Sequence, residues 1–163
     1  MGELDGLRQR VEAARREYAA LPRAGWGEPG PPDERTGERW DRGNVLGHVA
    51  EMLPYWTAQV RAVLLGAEAM GRDDAGYAQR RVAIDSAREA GEAGLLERID
   101  AGMEGLQALL AAMSDADLDR PVVFRSPSGD RRFDLRQQVE QLLVEHAEEH
   151  LGQLRALGDQ QPT

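Results

Sequence analysis

The sequence predicts an all-α protein built as a four-helix bundle. Three observations carry that expectation. Four stretches repeat apolar residues every three or four positions, the spacing of one helix face. The segments between them are rich in Gly and Pro, which punctuate helices. Little of the chain alternates with the period of two that a strand requires. A length of 163 residues fits one domain over 1–163, with a loop at 22–39 and a loose tail at 158–163.

The first helix runs from Leu4 to about Leu21, on Leu4, Leu7, Val11, Ala14, Tyr18 and Leu21, and Pro22 stops it. Residues 22–39 form a loop that is either mobile or pinned to the body by Trp26. Asp41 is the expected cap of the second helix, about Arg42 to Leu65. Its stripe is Val45, Val49, Leu53, Trp56, Val60, Val63 and Leu64. Pro54 removes the bond to the Ala50 carbonyl, so a kink is expected there. After a connector from Gly66 to about Gln79, a third pattern covers about Arg80 to Met113, with a break expected near Gly91 and Gly94. Leu95, Leu96, Ile99, Met103, Leu106, Leu110 and Met113 make its firmer half. Pro121–Phe124 and Arg131–Phe133 flank a turn sequence and leave room for a short hairpin. Asp134, with Gln137 in the capping-box position, opens the last helix, which reaches about Leu157.

Composition excludes several classes of chemistry. Hydrophobic residues at 41% and charged residues at 30% are ordinary for a soluble globular protein. No apolar run approaches a membrane span and no signal-peptide pattern opens the chain, so no membrane partner and a cytoplasmic location are expected. The absence of cysteine removes disulfides, thiolate ligands and a cysteine nucleophile. There is no lysine either, which removes Schiff-base chemistry and the phosphate loop ending in Gly-Lys. Net charge −9, with no basic stripe, leads to the expectation of no nucleic-acid partner.

The three histidines are the candidate site. His146 and His150 stand four apart in the last helix, within about 40° of each other on one face. Val139, Leu142, Leu143 and Leu157 share that face, so the pair points inward. His48, at the edge of the second helix's stripe, completes the set. A buried imidazole left without a partner costs roughly 1–3 kcal/mol. Core histidines hydrogen-bonded to neighbours are one solution; a shared metal ion is the other, since one cation satisfies several ring nitrogens. The run His-Ala-Glu-Glu-His puts Ala147 after the first histidine, so the general base of the metalloprotease motif is missing.

Two motifs carry a family resemblance. Trp40-Asp-Arg-Gly-Asn-Val-Leu-Gly-His48-Val-Ala-Glu-Met-Leu-Pro-Tyr-Trp56 resembles the second helix of the DinB/YfiT-like superfamily. Glu145-His146-Ala-Glu-Glu-His150-Leu-Gly-Gln-Leu154 is similar to its last-helix motif, and Leu118–Phe124 resembles the link before it. The resemblance spans about residues 40–157. It implies a four-helix bundle of the DinB/YfiT type and a divalent metal held by His48, His146 and His150. It also implies kinship with thiol-dependent S-transferases and a mycothiol-dependent maleylpyruvate isomerase, and a homodimer.

Three imidazoles leave a coordination position open for substrate or water, as in catalytic sites. Zinc is the expected ion, with nickel, iron or manganese as alternatives. Glu149 and Gln153 flank the His146/His150 face, and Glu51 and Gln59 flank His48, as supporting residues. Glu145 and Glu148 are expected to be solvated. Arg80 or Arg81 is a candidate to hold a carboxylate of a small thiol cosubstrate, a solvated loop charge being the commoner alternative. The expected activity is transfer of a low-molecular-weight thiol to an electrophilic small-molecule substrate. Metal-dependent hydrolysis and non-catalytic metal binding in a stress response are the alternatives.

Overall fold

Each expected stripe is buried along a helix in the computed structural model, which describes residues 2–34 and 36–159. Helix α1 (Glu3–Ala19) buries Leu4, Leu7, Val11, Ala14 and Tyr18. Helix α2 (Arg42–Leu64) is capped by Asp41, whose carboxylate accepts from the Asn44 amide at 3.0 Å. It runs unbroken through the exposed Pro54. Strand β1 (Ala69–Gly71) and helix α3 (Asp74–Ser86) follow, then a 3-10 turn (Ala87–Ala90) and helix α4 (Gly91–Ala112). The short α5 (Asp115–Leu118) leads into β2 (Pro121–Ser126) and β3 (Gly129–Asp134). The last helix has three parts: α6 (Leu135–Val139), a π-helical segment (Glu140–Glu145) and α7 (His146–Asp159). Around the core, α4 packs on both α1 and α2, and α7 packs on the same two helices.

The all-α expectation is corrected: the chain is mainly helical and carries a three-stranded sheet in the order β1-β2-β3. The hairpin β2–β3 is antiparallel, with Val122 opposite Phe133. Val122 is buried, and Phe124 and Phe133 pack against the core. What read as a plain connector supplies β1, which pairs parallel to β2. Gly71 sets that contact. Its φ is +143° and a Cβ there would lie 2.0 Å from the Arg125 carbonyl oxygen, so a side chain is sterically forbidden.

The third helical pattern also differs. It begins six residues before Arg80, at Asp74, because Asp73 caps it by accepting from the Gly76 amide at 2.8 Å. The expected break falls at Gly91, where φ is +71°, while Gly94 lies inside α4. The end of α3 and the 3-10 turn after it come close to α2 at Gly47, where a Cβ would sit 2.8 Å from that of Ala87 and 3.2 Å from the Ile84 carbonyl oxygen.

Loop 22–39 is tied down. The Trp26 carbonyl accepts from the Arg42 amide, and its ring packs on Gly43 and the core. Below it the buried pair Arg42–Glu92 closes at 2.9 Å, and Glu92 also accepts from the Ala24 and Gly25 amides. Of the expected loose tail, Gly158 and Asp159 complete α7, and 160–163 lie outside the described residues.

The π-helical segment has no counterpart in the expectation of a uniform helix. Arg10 of α1 spans it, donating to Glu140 at its start (2.9 Å) and forking onto Glu148 beyond its end (2.9 and 2.6 Å). Those bonds hold the Arg10 guanidinium above its ordinary range. Glu148 is therefore half-buried against α1 rather than solvated. The sequence pattern of one helix does not reveal a cation arriving from another. Close by, the buried Tyr18 hydroxyl donates to the Ala147 carbonyl at 2.7 Å.

Candidate metal centre

His48, nearly two turns into α2 on its buried face, is 4% exposed. His146 and His150 open α7, directly after the π-helical segment, and are half-buried. The structure brings all three together: one ligand-capable nitrogen of each lies within 4.8 Å of the other two. Nε2 of His48 and Nε2 of His146 are 2.9 Å apart, and the ring centroids are 5.1, 4.8 and 4.6 Å apart.

Gln153, one turn on from His150, accepts from its Nδ1 at 2.9 Å. With the proton on Nδ1, the lone pair of His150 resides on Nε2, which is buried and has no hydrogen-bond partner. Nδ1 of His48 is likewise buried and unpartnered. Burial is the main reason that both rings lie below the ordinary imidazole range. For His48 the neighbouring His150 and then Arg80 add to it, and for His150 Arg80 adds against the opposing bond to Gln153. Neutral imidazoles keep the lone pairs that metal ligation requires. Metal–nitrogen bonds of about 2.0–2.1 Å need donors within a few ångströms of one another, so this cluster could hold one divalent ion after small side-chain shifts.

The wall of the site is aromatic and cationic. Trp40, just before α2, stacks on His150 (6.1 Å, 22°) and meets His48 edge-on at 5.2 Å. The half-buried Arg80 lies 5.4 Å from the Trp40 ring, and burial holds its guanidinium below its usual range. Arg81 is exposed on the same helix.

The four expected supporting residues separate. Gln153 bonds a histidine. Glu51 instead pairs with Arg72 at 2.8 Å. Gln59 accepts from the Gly71 amide at 3.2 Å and braces β1. Glu149 is exposed. Sequence reasoning missed Arg72, which is 3% exposed and stacked 3.7 Å over the Tyr55 ring. Its signal was faint: an arginine directly after Gly71, in a stretch read as a connector.

No curated protein matches this chain. Among solved structures, the colibactin self-resistance protein ClbS in complex with a double-stranded DNA has the same fold, with a TM-score of 0.69 at 12% identity. The match covers 98% of this chain and 97% of that one. It overturns the expectation of no nucleic-acid partner, since a protein of this fold has been solved on DNA. Net charge is a sum over the whole surface and describes no single face. No described helix is long and apolar enough to cross a membrane. The family model of the DinB superfamily matches residues 32–154, three-quarters of the sequence, and the chain belongs to that superfamily.

Proposed function

We propose that this protein is a divalent-metal-dependent enzyme of the DinB superfamily. It transfers a low-molecular-weight thiol, of the mycothiol kind, to an electrophilic small molecule, as an S-transferase or isomerase. The observation that carries the reading is the convergence of His48, His146 and His150, with the Nε2 of His150 buried and unpartnered. Those three hold the ion: zinc first, then nickel, iron or manganese. When bound, the ion supplies Lewis acidity and lowers the pKa of a ligated thiol or water. Gln153 fixes the His150 tautomer by taking its Nδ1 proton in a hydrogen bond. Trp40 shields one side of the cluster from water. The chain has no cysteine, so the sulfur nucleophile comes from outside.

The test is turnover of zinc-loaded protein with a small cellular thiol and an alkylating or isomerisable acceptor. Thiol- and metal-dependent turnover that disappears in His146→Ala is expected. Ester or amide cleavage without thiol would move the assignment to a metal-dependent hydrolase. Stoichiometric metal with no turnover in either assay would leave a non-catalytic metal-binding protein.

A second reading, contact with nucleic acid, draws on the DNA complex of ClbS and on the β2–β3 hairpin. Arg131 and Arg132 are exposed there and carry no ion pair among the described residues. Salt-sensitive duplex binding that falls in the Arg131→Ala/Arg132→Ala double variant supports it. Binding unchanged in that variant, or none at low salt, removes the hairpin as the contact.

A further inference from the structure

Arg72 sits between β1 and α3 with its backbone amide donating to the Arg125 carbonyl at 3.1 Å. Its guanidinium is held on three sides. The plane rests on Tyr55 (3.7 Å) with Trp56 at 5.3 Å and Tyr77 at 5.9 Å. Nη1 donates to Glu51 at 2.8 Å and reaches the Gly76 carbonyl at 3.5 Å. The remaining edge is not used: Nε and Nη2 are both buried without a hydrogen-bond partner, and so is the second carboxylate oxygen of Glu51. Leaving such groups buried and unsatisfied is unfavourable, most of all for a charged group. Their location gives the vacancy a use. His48, Glu51 and Tyr55 are three and seven residues apart on one face of α2, so the guanidinium that pairs with Glu51 and rests on Tyr55 lies along the face that carries His48, and its charge acts on that imidazole. Arg80, with no ion pair among the described residues, adds a second positive charge beside the same cluster. The exposed Glu38 and the paired Glu51 are the acids acting on it.

We propose that Arg72 binds a carboxylate group of the small-molecule ligand that reacts at the histidine cluster, gripping it side-on through Nε–H and Nη2–H. Two parallel N–H donors on one guanidinium edge match the two oxygens of a carboxylate. Arg80 contributes long-range attraction from the neighbouring helix. The free oxygen of Glu51 accepts from a hydroxyl or amine of the same ligand. Access runs past α3, which buries only Ile84 of its thirteen residues and is therefore lightly held. The position relative to the metal rests on the enzyme reading above; the capture of the carboxylate does not.

The experiment is titration of the metal-free full chain with propionate, propionamide and inorganic phosphate, read by tryptophan fluorescence from Trp56 and Trp40. Saturable binding of propionate is expected, at least tenfold stronger than propionamide and stronger than phosphate. Arg72→Lys keeps the charge but loses the fork, and should weaken propionate at least tenfold. Glu51→Gln removes a neighbouring negative charge, and should tighten propionate severalfold even if the Arg72 variant proves unstable. Equal binding of acid and amide, preference for phosphate, an unaffected folded Arg72→Lys, or unchanged affinity in Glu51→Gln overturns the proposal. Carboxylate binding without thiol turnover by the zinc form would sink the S-transfer reading and leave this one standing.

Discussion

The Gln153 carbonyl oxygen lies 2.9 Å from Nδ1 of His150, one helical turn away and on the side opposite the cluster. That bond selects which nitrogen carries the proton. Replacing Gln153 with Ala should lower zinc affinity by about 10–100-fold. The side chain is exposed, so the fold should not change. Zinc competition against a chelator, with circular dichroism alongside, measures both. Wild-type affinity in the variant would mean that the tautomer is set elsewhere.

His146→Ala should abolish metal binding and leave a folded protein, because the core is built from apolar stripes rather than around an ion. Metal content and circular dichroism report the two halves of that expectation. Glu149→Ala is the matched control, since Glu149 is exposed. Glu148 is unsuited to that part because it holds Arg10. Unfolding of His146→Ala would show that the ion is structural.

The metal-free protein should lose stability as pH falls. Burial keeps the folded pKa of His48 and His150 below the unfolded value of about 6.5. Between those values the unfolded chain binds more protons than the folded one. Stability is therefore fully present above about pH 6.5 and declines below it, by up to about 1.4 kcal/mol per pH unit for each group that stays neutral. Denaturant midpoints from pH 7.5 to 5 should show the decline, and His48→Gln should flatten it. An equal slope in that variant would place the titration at other groups.

Glu92→Ala should cost about 3–5 kcal/mol, because it leaves Arg42 charged and buried beneath the loop. The Ala24 and Gly25 amides lose their acceptor in the same step. Urea denaturation gives the loss, and limited proteolysis within residues 22–39 should accelerate. Replacing both partners by Leu and Met should restore much of the stability. A change below about 1 kcal/mol would show that the pair is effectively solvated.

The helices were legible because each buries one stripe, and periodicity reports a single buried face directly. Val11, Leu53, Ile99 and Leu154 are where such a pattern places them. The caps at Asp41 and Asp134 were legible because they act within three residues. The meeting of His48 with His146 and His150 followed from two inward faces. Strand β1 was not legible: three residues are too few to show a period, and its partner lies more than fifty positions away. Arg72 and Arg10 escaped for a related reason. Whether an arginine is solvated or buried depends on which distant acid meets it, here Glu51 for one, and Glu140 and Glu148 for the other.

The change of pitch in the last helix has a consequence for how this chain can vary. A rod of uniform pitch presents one stripe along its length. By switching to π geometry over Glu140–Glu145, the last helix offsets the phase of α7 from that of α6. The direction of both imidazoles is thus encoded partly as a residue count between the cap at Asp134 and His146. Because a π turn takes up about one residue more than an α turn, deleting one residue there would relax the segment to ordinary α-helix and leave the pair close to its present direction, whereas straightening the segment at constant length would turn the pair by about 100°. Side chains in the segment are free to drift within their packing limits, whereas loss of the π turn at constant length would uncouple the histidines from His48 and turn Leu151 and Leu154 out of the core.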